Sequence, residues 1–539
     1  MHIHIIDRFA DLSAVRENWD AVYEADPEAR FFLSWQWLYD WLQVHRTAWL
    51  VLAAQHEEND REYVAFLTLR IGAEFAKSCG FFNVLLFGGT GFSDYAGILV
   101  RPEHAAEALP AFAEYLKREL NWARFTMHNL TMSDERRQLF VGAFDPVRFA
   151  HHPLEQKNPG ETTDHAICLS IDLPPSWEDY LQSLSANNRQ KIRRLLRKVD
   201  AAETYRITLS DGDDCDRNLE TLLGFWRAKW APSKGEKNAD ELAALNQAVL
   251  ERCACAGTLL LPVFWHRDRP VAALAILIDW CKRSLLFFIA GRDEAYREMP
   301  AGYLLHAYSI RYAIAQGFTT YDFLKGDDPY KFLFAPQRRQ RQHGVVVATR
   351  TGRNLGGRLD PRGLSAALEV ILEMQDRGET AEAAFGYGEI LETDPDHALA
   401  LYRLGRLVAE SGDHDAAREL FSRSVALDPN GDNAWSSLAY SLHACGAEDA
   451  ARDACHRALA LTPEHEEAAL LLHQLTYPPQ PAFGSAIATA RLQPVVDADW
   501  QPAAAPAIAQ AGAPEREPAV PGIHDQIEEY LHSYISRHG

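Results

Sequence analysis

Between Tyr321 and Pro336 the sequence reads YDFLKGDDPYKFLFAP, which gathers Asp322, Asp327, Asp328, Tyr330 and Lys331 into one short stretch. A carboxylate can take a proton from an attacking amine or hydroxyl, and a tyrosine can return one to a departing thiolate. An ammonium can pair with phosphate or with developing negative charge. Acyl transfer needs that complement. Asp322 or Asp327 is the candidate base, Tyr330 the candidate acid and Lys331 the electrostatic partner. The same residues also suit a plain turn, in which Asp327 satisfies backbone donors and Lys331 pairs with a carboxylate.

A second candidate is the junction Pro300-Ala301-Gly302 between the strand-like SLLFFIA and the helix-like YLLHAYSIRYAIA. A helix start leaves backbone N–H groups without intrahelical partners, so Ala301, Gly302 and Tyr303 are positioned to hold a phosphate; Pro and Gly also start helices that bind nothing. A third is the run Arg189, Lys191, Arg193, Arg194, Arg197 and Lys198. It suits a nucleotide-linked or lipid phosphate, or the RNA of an aminoacyl donor, or it is a solvated face neutralised by nearby acids. Asp94 and Tyr95 follow the turn Gly88-Gly89-Thr90-Gly91 and are candidate acceptor contacts, with turn and packing roles as the alternative. That turn lacks the Gly-Lys-Ser/Thr ending of a triphosphate loop and the Rossmann fingerprint. The histidines show no ligand spacing, so no metal site is expected.

These residues need a scaffold. From residue 1 to about 350 (boundaries good to a few residues) strand-like and helix-like segments alternate in two similar series. The first has a helix from Trp35, strands at Glu62–Ile71 and Asn83–Phe87, and a helix at Ala105–Leu120. The second has the strand Ala166–Ile171, a helix from Trp177 to Val199, and strands through Pro270–Asp279, Ser284–Ala290 and Thr320–Phe323, with a helix at Tyr303–Gln316. Two related halves are expected, 1–160 and 161–350. Beyond them Asp394-Pro395, Asp428-Pro429 and Thr462-Pro463 recur at the interval of a tetratricopeptide repeat. Leu401, Leu404, Gly405, Ala417 and Phe421 keep its phase, and an all-α solenoid is expected over 364–476. The Pro/Ala-rich 477–521 reads as a disordered linker. In 522–537, Ile523, Ile527, Tyr530, Leu531 and Tyr534 share a helical face that docks in cis or in trans.

The chain has 539 residues, 47% hydrophobic and 24% charged, with formal net charge −21. That describes a multidomain globular protein and disfavours DNA as a partner. No apolar run is long enough to span a bilayer. The opening MHIHIIDRFADLS carries Asp7 and Asp11 where a signal peptide is uncharged, and the eight cysteines form no framework. The expected place is the cytoplasm, or the inner-membrane surface through a partner.

Three segments, SDYAGILV (Ser93–Val100), SANNRQKIRRLLRKV (Ser185–Val199) and YDFLKGDDPYKFLFAP, together resemble the CelD/BcsL-type GNAT acetyltransferases, relatives of the FemABX transferases. The resemblance covers roughly Phe31 to Gly344. It implies an α+β fold of tandem GNAT-like halves ahead of the solenoid, with acetyl-coenzyme A or another acyl-coenzyme A as co-substrate. A glycan or glycoconjugate of the cell envelope is the implied acceptor, and Asn188 and Arg189, at the start of the basic motif, are implied substrate contacts. The repeats imply a protein partner in their groove. Arg297-Glu298-Met299-Pro300-Ala301-Gly302 departs from the family's Arg/Gln-x-x-Gly-x-Gly/Ala loop. An aminoacyl-tRNA-dependent transferase and a non-catalytic scaffold for envelope assembly are the alternative readings.

Overall fold

The computed structural model describes residues 1–44, 48–57, 62–154, 163–210 and 212–477; the expected linker and terminal helix lie outside them. Runs such as WLVLAAQ and VAALAILID are apolar at successive positions, so they become strands buried on both faces rather than half-solvated ones. In chain order the strands of the first half are β1 (His2–Ile6), β2 (Trp49–Gln55), β3 (Ala65–Ala76), β4 (Gly80–Phe87), β5 (Leu99–Val100), β6 (Arg124–Leu130) and β7 (Phe149–Pro153). Those of the second are β8 (Ile167–Asp172), β9 (Tyr205–Leu209), β10 (Leu259–Leu260), β11 (Pro262–His266), β12 (Arg269–Asp279), β13 (Ser284–Arg292), β14 (Thr320–Lys325) and β15 (Arg338–Arg341). The last strand, β16 (His343–Thr349), goes back to the first sheet.

The two sheets share one plan. Their orders are β1-β2-β3-β4-β6-β16-β7 and β9-β11-β12-β13-β14-β8-β15. In each, the fourth and fifth positions are a parallel pair, β4 with β6 and β13 with β14, and the other neighbours in these orders are antiparallel. Parallel neighbours require a crossover, supplied by the helices Ala105–Glu119 and Ala301–Ala315. The chain laces the halves together, because β16 pairs with β6 and β7 although it follows the whole second sheet.

Where one helix from Trp177 to Val199 is expected, there are two, Trp177–Ser183 and Ala186–Ala201. Leu184 is extended at ψ 154°, and the Ser185 hydroxyl accepts from the Asn188 N–H, so Ser185 caps a new helix. One apolar core joins the halves, packing Trp37, Trp41 and Phe66 with Leu219, Val263 and Leu286. A second lies under the helices Ala186–Ala201 and Ala301–Ala315.

Among the described residues seven helices follow: Leu364–Asp376, Thr380–Thr393, Ala398–Glu410, His414–Leu427, Asp432–Ala444, Glu448–Leu461 and Glu466–Thr476. They pair as antiparallel hairpins with a closing helix, and a Cβ on Gly405 would lie 2.8 Å from the Phe421 ring, so that position must stay small. The solenoid is bolted to the first sheet. Phe81 of β4 shares a core with Ile371 and Tyr387. Asn83 Oδ1 accepts from the Asp360 N–H at 2.8 Å, and Asp360 accepts from the Asn121 N–H at 3.0 Å. Among the described residues no helix is long and apolar enough to cross a membrane.

Candidate active site

β13 and β14 run in register over Ser284–Thr320, Leu285–Tyr321 and Leu286–Asp322, and then part. Just past that point β14 shifts register against β8, with Leu324 at φ 55°. The pleat sends alternate side chains to opposite faces. Tyr321 and Phe323 point into the core beneath the helix Ala301–Ala315, whereas Asp322 and Leu324 face the first half.

On the helix side, the helix begins at Ala301 after Pro300, with no side-chain cap and no acid in its first turn. The N–H groups of Ala301, Gly302 and Tyr303 are therefore free of side-chain caps, and a Cβ built on Gly302 would meet nothing within 4 Å. Lys191 Nζ sits 4.5 Å from the centre of the Tyr303 ring, and the buried Tyr303 and Tyr296 hydroxyls have no hydrogen-bond partner. Asn188 donates to the Leu333 carbonyl at 2.9 Å. Arg189 is half-buried on the same helix. Along that helix Arg193 pairs with Glu178 and Lys198 lies over Tyr205. Tyr330 is 38% exposed beside His306, their rings 5.8 Å apart, and burial raises its phenol above the usual range. Burial, helped by Lys331, pushes His306 down to about 3, so that imidazole is neutral.

On the opposite face the halves meet through polar contacts. Tyr95 donates to Asp322 Oδ2 at 2.7 Å, and Asp322 Oδ1 accepts from the Leu324 N–H at 2.8 Å. Asp94 pairs with Lys325 at 2.8 Å, and its carbonyl accepts from Gln342. Burial lifts the Asp322 carboxyl to about 6, and Asp94 adds to the rise; the bonds from Tyr95 and Leu324 and the Arg30 guanidinium hold it down.

The loop after β14 is a tied turn. Lys331 is 2% exposed and donates to the carbonyls of Lys325 at 2.6 Å and Gly326 at 2.8 Å, with Asp328 3.4 Å away. Burial lowers its ammonium, against the pull of Asp328. Asp327 accepts from the Asp164 N–H at 2.7 Å and pairs with Arg339 at 3.1 Å. Gly326 has φ 93°, and a Cβ there would lie 3.0 Å from Asp328 Oδ2. Asp94, Tyr95 and Asp322 are thus brought together; Asn188, Arg189, Ala301, Gly302 and Tyr303 form a second group; Asp327 and Lys331 hold the loop between.

Sequence reasoning did not find Arg30 or His306. The Arg30 guanidinium bonds the Pro27 and Ala29 carbonyls at 3.1 and 3.0 Å and acts on Asp322 through space. Nothing in the neighbourhood of residue 30 announces a carboxylate almost three hundred positions away. His306 sits inside an apolar helix, where an isolated histidine looks like core.

Residues 186–332 match the family described as an acetyltransferase (GNAT) domain, and residues 375–441 match the tetratricopeptide repeat. The chain carries a GNAT-type acetyltransferase domain and C-terminal tetratricopeptide repeats. A structure of FemX aligns over 65% of this chain and 98% of its own, at 11% identity and TM-score 0.45. MamA aligns over 22% of this chain and 68% of its own, at 22% identity and TM-score 0.21. The photosystem I assembly protein Ycf3 of Rippkaea orientalis is 37% identical over 78 residues, which are 14% of this chain and 45% of that protein. The chain therefore spans less than half the length of that relative.

Proposed function

We propose that the protein moves an acetyl or other acyl group from acyl-coenzyme A to an amine or hydroxyl of a polysaccharide or cell-envelope precursor, while its repeats dock a protein partner. The observation that carries this reading is the open start of the helix Ala301–Ala315 beside the parting of β13 and β14. Free N–H groups at a helix start, Gly302 with space above it, and the cations of Arg189 and Lys191 fit a phosphorylated donor. The donor supplies an activated acyl group; the chain binds and orients it and handles the protons. Asp322, lifted to about 6, is ionised at neutral pH yet basic enough to take a proton from the acceptor. Tyr330, whose phenol stays protonated, is suited to return one. Asp94 and Tyr95 hold the acceptor side, and the acceptor class rests on the sequence resemblance. The protein works in the cytoplasm and reaches the envelope machinery at the inner membrane through the partner of its repeats.

Calorimetric titration with acetyl-coenzyme A tests this reading. Saturable binding is expected, weakened roughly tenfold or more by Gly302→Asp and by a smaller factor by Arg189→Ala. Absence of binding at millimolar ligand overturns it.

A further inference from the structure

Beside the acceptor contacts Asp94 and Tyr95 and the open helix start, the candidate site has a third flank, the short helix Lys331–Phe334. In so tight a turn the side chains at i and i+3 share a face. Lys331 and Phe334 are buried, so the same turn drives Phe332 and Leu333 outward, 47% and 36% exposed. With Tyr330 they form an apolar step on the surface, and among the described residues the Phe332 ring makes no aromatic or cation contact.

The step is continuous with the site. Tyr330, the acid, precedes the turn directly. Asn188 donates to the Leu333 carbonyl at 2.9 Å, and the Phe334 ring lies 4.8 Å from that of Tyr303, whose N–H belongs to the open helix start.

Its chemistry narrows what can cover it. The Leu333 N–H donates to the Tyr330 carbonyl at 3.1 Å, the Ala335 N–H to the Phe332 carbonyl at 3.2 Å, and the Tyr180 hydroxyl to the Phe334 carbonyl at 3.2 Å. With Leu333 held by Asn188, these carbonyls are taken. The charged side chains from Lys325 to Arg341 are paired as well: Lys325 with Asp94, Asp327 with Arg339, Lys331 with Asp328, Arg338 with Asp172 and Arg341 with Asp164. Such a surface offers an ion no spare charge, and it offers the amides of a peptide or a pantetheine arm no carbonyl. Hydrocarbon laid on it removes apolar area from water at no polar cost. An acetyl group ends at a single methyl, too short to pass Tyr330 and reach Phe332; a longer acyl chain is not.

We propose that the acyl group of the donor is a hydrocarbon chain of medium length rather than acetyl, and that it lies on Phe332 and Leu333 while its thioester stands at Tyr330. The inference rests on the acyl-coenzyme A reading above. The transfer keeps its balance: the acceptor oxygen or nitrogen bonds the carbonyl carbon as its proton goes to Asp322, the C–S bond breaks, and the thiolate takes a proton from Tyr330. Both groups then exchange protons with water.

Calorimetric titration of the full chain with free coenzyme A, acetyl-coenzyme A and octanoyl-coenzyme A tests the inference, in wild type, Phe332→Ser and the Phe332→Ser/Leu333→Ser double variant. Both side chains are exposed, so the variants are expected to keep the wild-type Tm. Octanoyl-coenzyme A is expected to bind wild type roughly tenfold or more tighter than acetyl-coenzyme A. The single variant is expected to lose part of that gain and the double variant all of it, while free coenzyme A binds the three proteins alike. Octanoyl-coenzyme A binding wild type no tighter than acetyl-coenzyme A overturns the inference and leaves the acyl-coenzyme A reading standing. So does a gain that persists in the double variant, and so does an equal weakening of free coenzyme A, which assigns the turn to the pantetheine arm. Absence of binding by all three ligands overturns the acyl-coenzyme A reading and the inference with it.

Discussion

The two sheets follow the same strand order, yet they leave different gaps where their parallel pairs part. In the first, β4 and β6 separate after Leu86–Thr126, and the chain's own segment fills the space. The Ala96 N–H donates to the Asn129 carbonyl at 2.9 Å, the Thr131 N–H donates to Ala96 at 3.0 Å, and Asn129 holds the Ser93 carbonyl at 2.9 Å. Its crossover helix begins after a Pro102–His104 turn, with Glu107 in the first turn. In the second, β13 runs on beyond Leu286 with Ala290 exposed, and its crossover helix starts with no acid and no side-chain cap. The first gap is filled by the chain's own backbone, and the second adjoins a helix start without a side-chain cap. The filling segment of the first half has its own task, since it carries Asp94 and Tyr95 to Lys325 and Asp322 of the second.

The largest expected effect breaks the chemistry where the halves meet. Asp322→Asn keeps an acceptor for Tyr95 but removes the base, and kcat is expected to fall by about 10²–10⁴. The folded pKa of about 6 lies above the unfolded value, so the stability this group contributes is present below the unfolded value and lost as pH rises through about 6. At neutral pH the ionised carboxyl therefore costs about 2–3 kcal/mol, which offsets the loss of the acceptor for the Leu324 N–H, and the Asn variant is expected to unfold within a few degrees of wild type. A fall in both activity and Tm would mark Asp322 as structural.

Lys331→Met keeps the bulk but strips the donors from the Lys325 and Gly326 carbonyls. It is expected to destabilise the protein by about 2 kcal/mol in denaturant unfolding, with acyl-coenzyme A affinity little changed. Tyr95→Phe is expected to cost about 1 kcal/mol. Loss of the bond that holds the Asp322 pKa down also moves the acidic limb of kcat against pH from about 6 to higher pH. The smallest effect sharpens the contrast between the two helix starts. Glu107→Ala, at the start of the closed half, is expected to leave acetyl-coenzyme A binding unchanged, whereas Gly302→Asp weakens it.

Much of the frame was legible because it rests on local patterns. The repeat interval, the phase of Leu404, Gly405 and Phe421, and the alternation of apolar runs with helices each report on near neighbours. Even there Ser185 divided one expected helix, because a capping hydroxyl outweighed an unbroken helical pattern. The candidate site was legible as a set of residues but not as a grouping. Asp322, Asp327, Tyr330 and Lys331 are adjacent in sequence, yet the pleat of β14 and the turn after it send them to different faces.

The sequence by itself determined the repeat period, the helix start after Pro300 and the strands β3, β4, β8 and β12 to β14, though not β1, β2, β6, β7, β15 or β16, since the former follow from side-chain size, periodicity and backbone hydrogen bonding within a few residues. Only the tertiary structure decided that Tyr95 meets Asp322, that β16 completes the first sheet, and that Asn188 holds the turn of Phe332 and Leu333. Those pairings join positions far apart in the chain, and they are fixed by burial and sheet register, which no local pattern encodes.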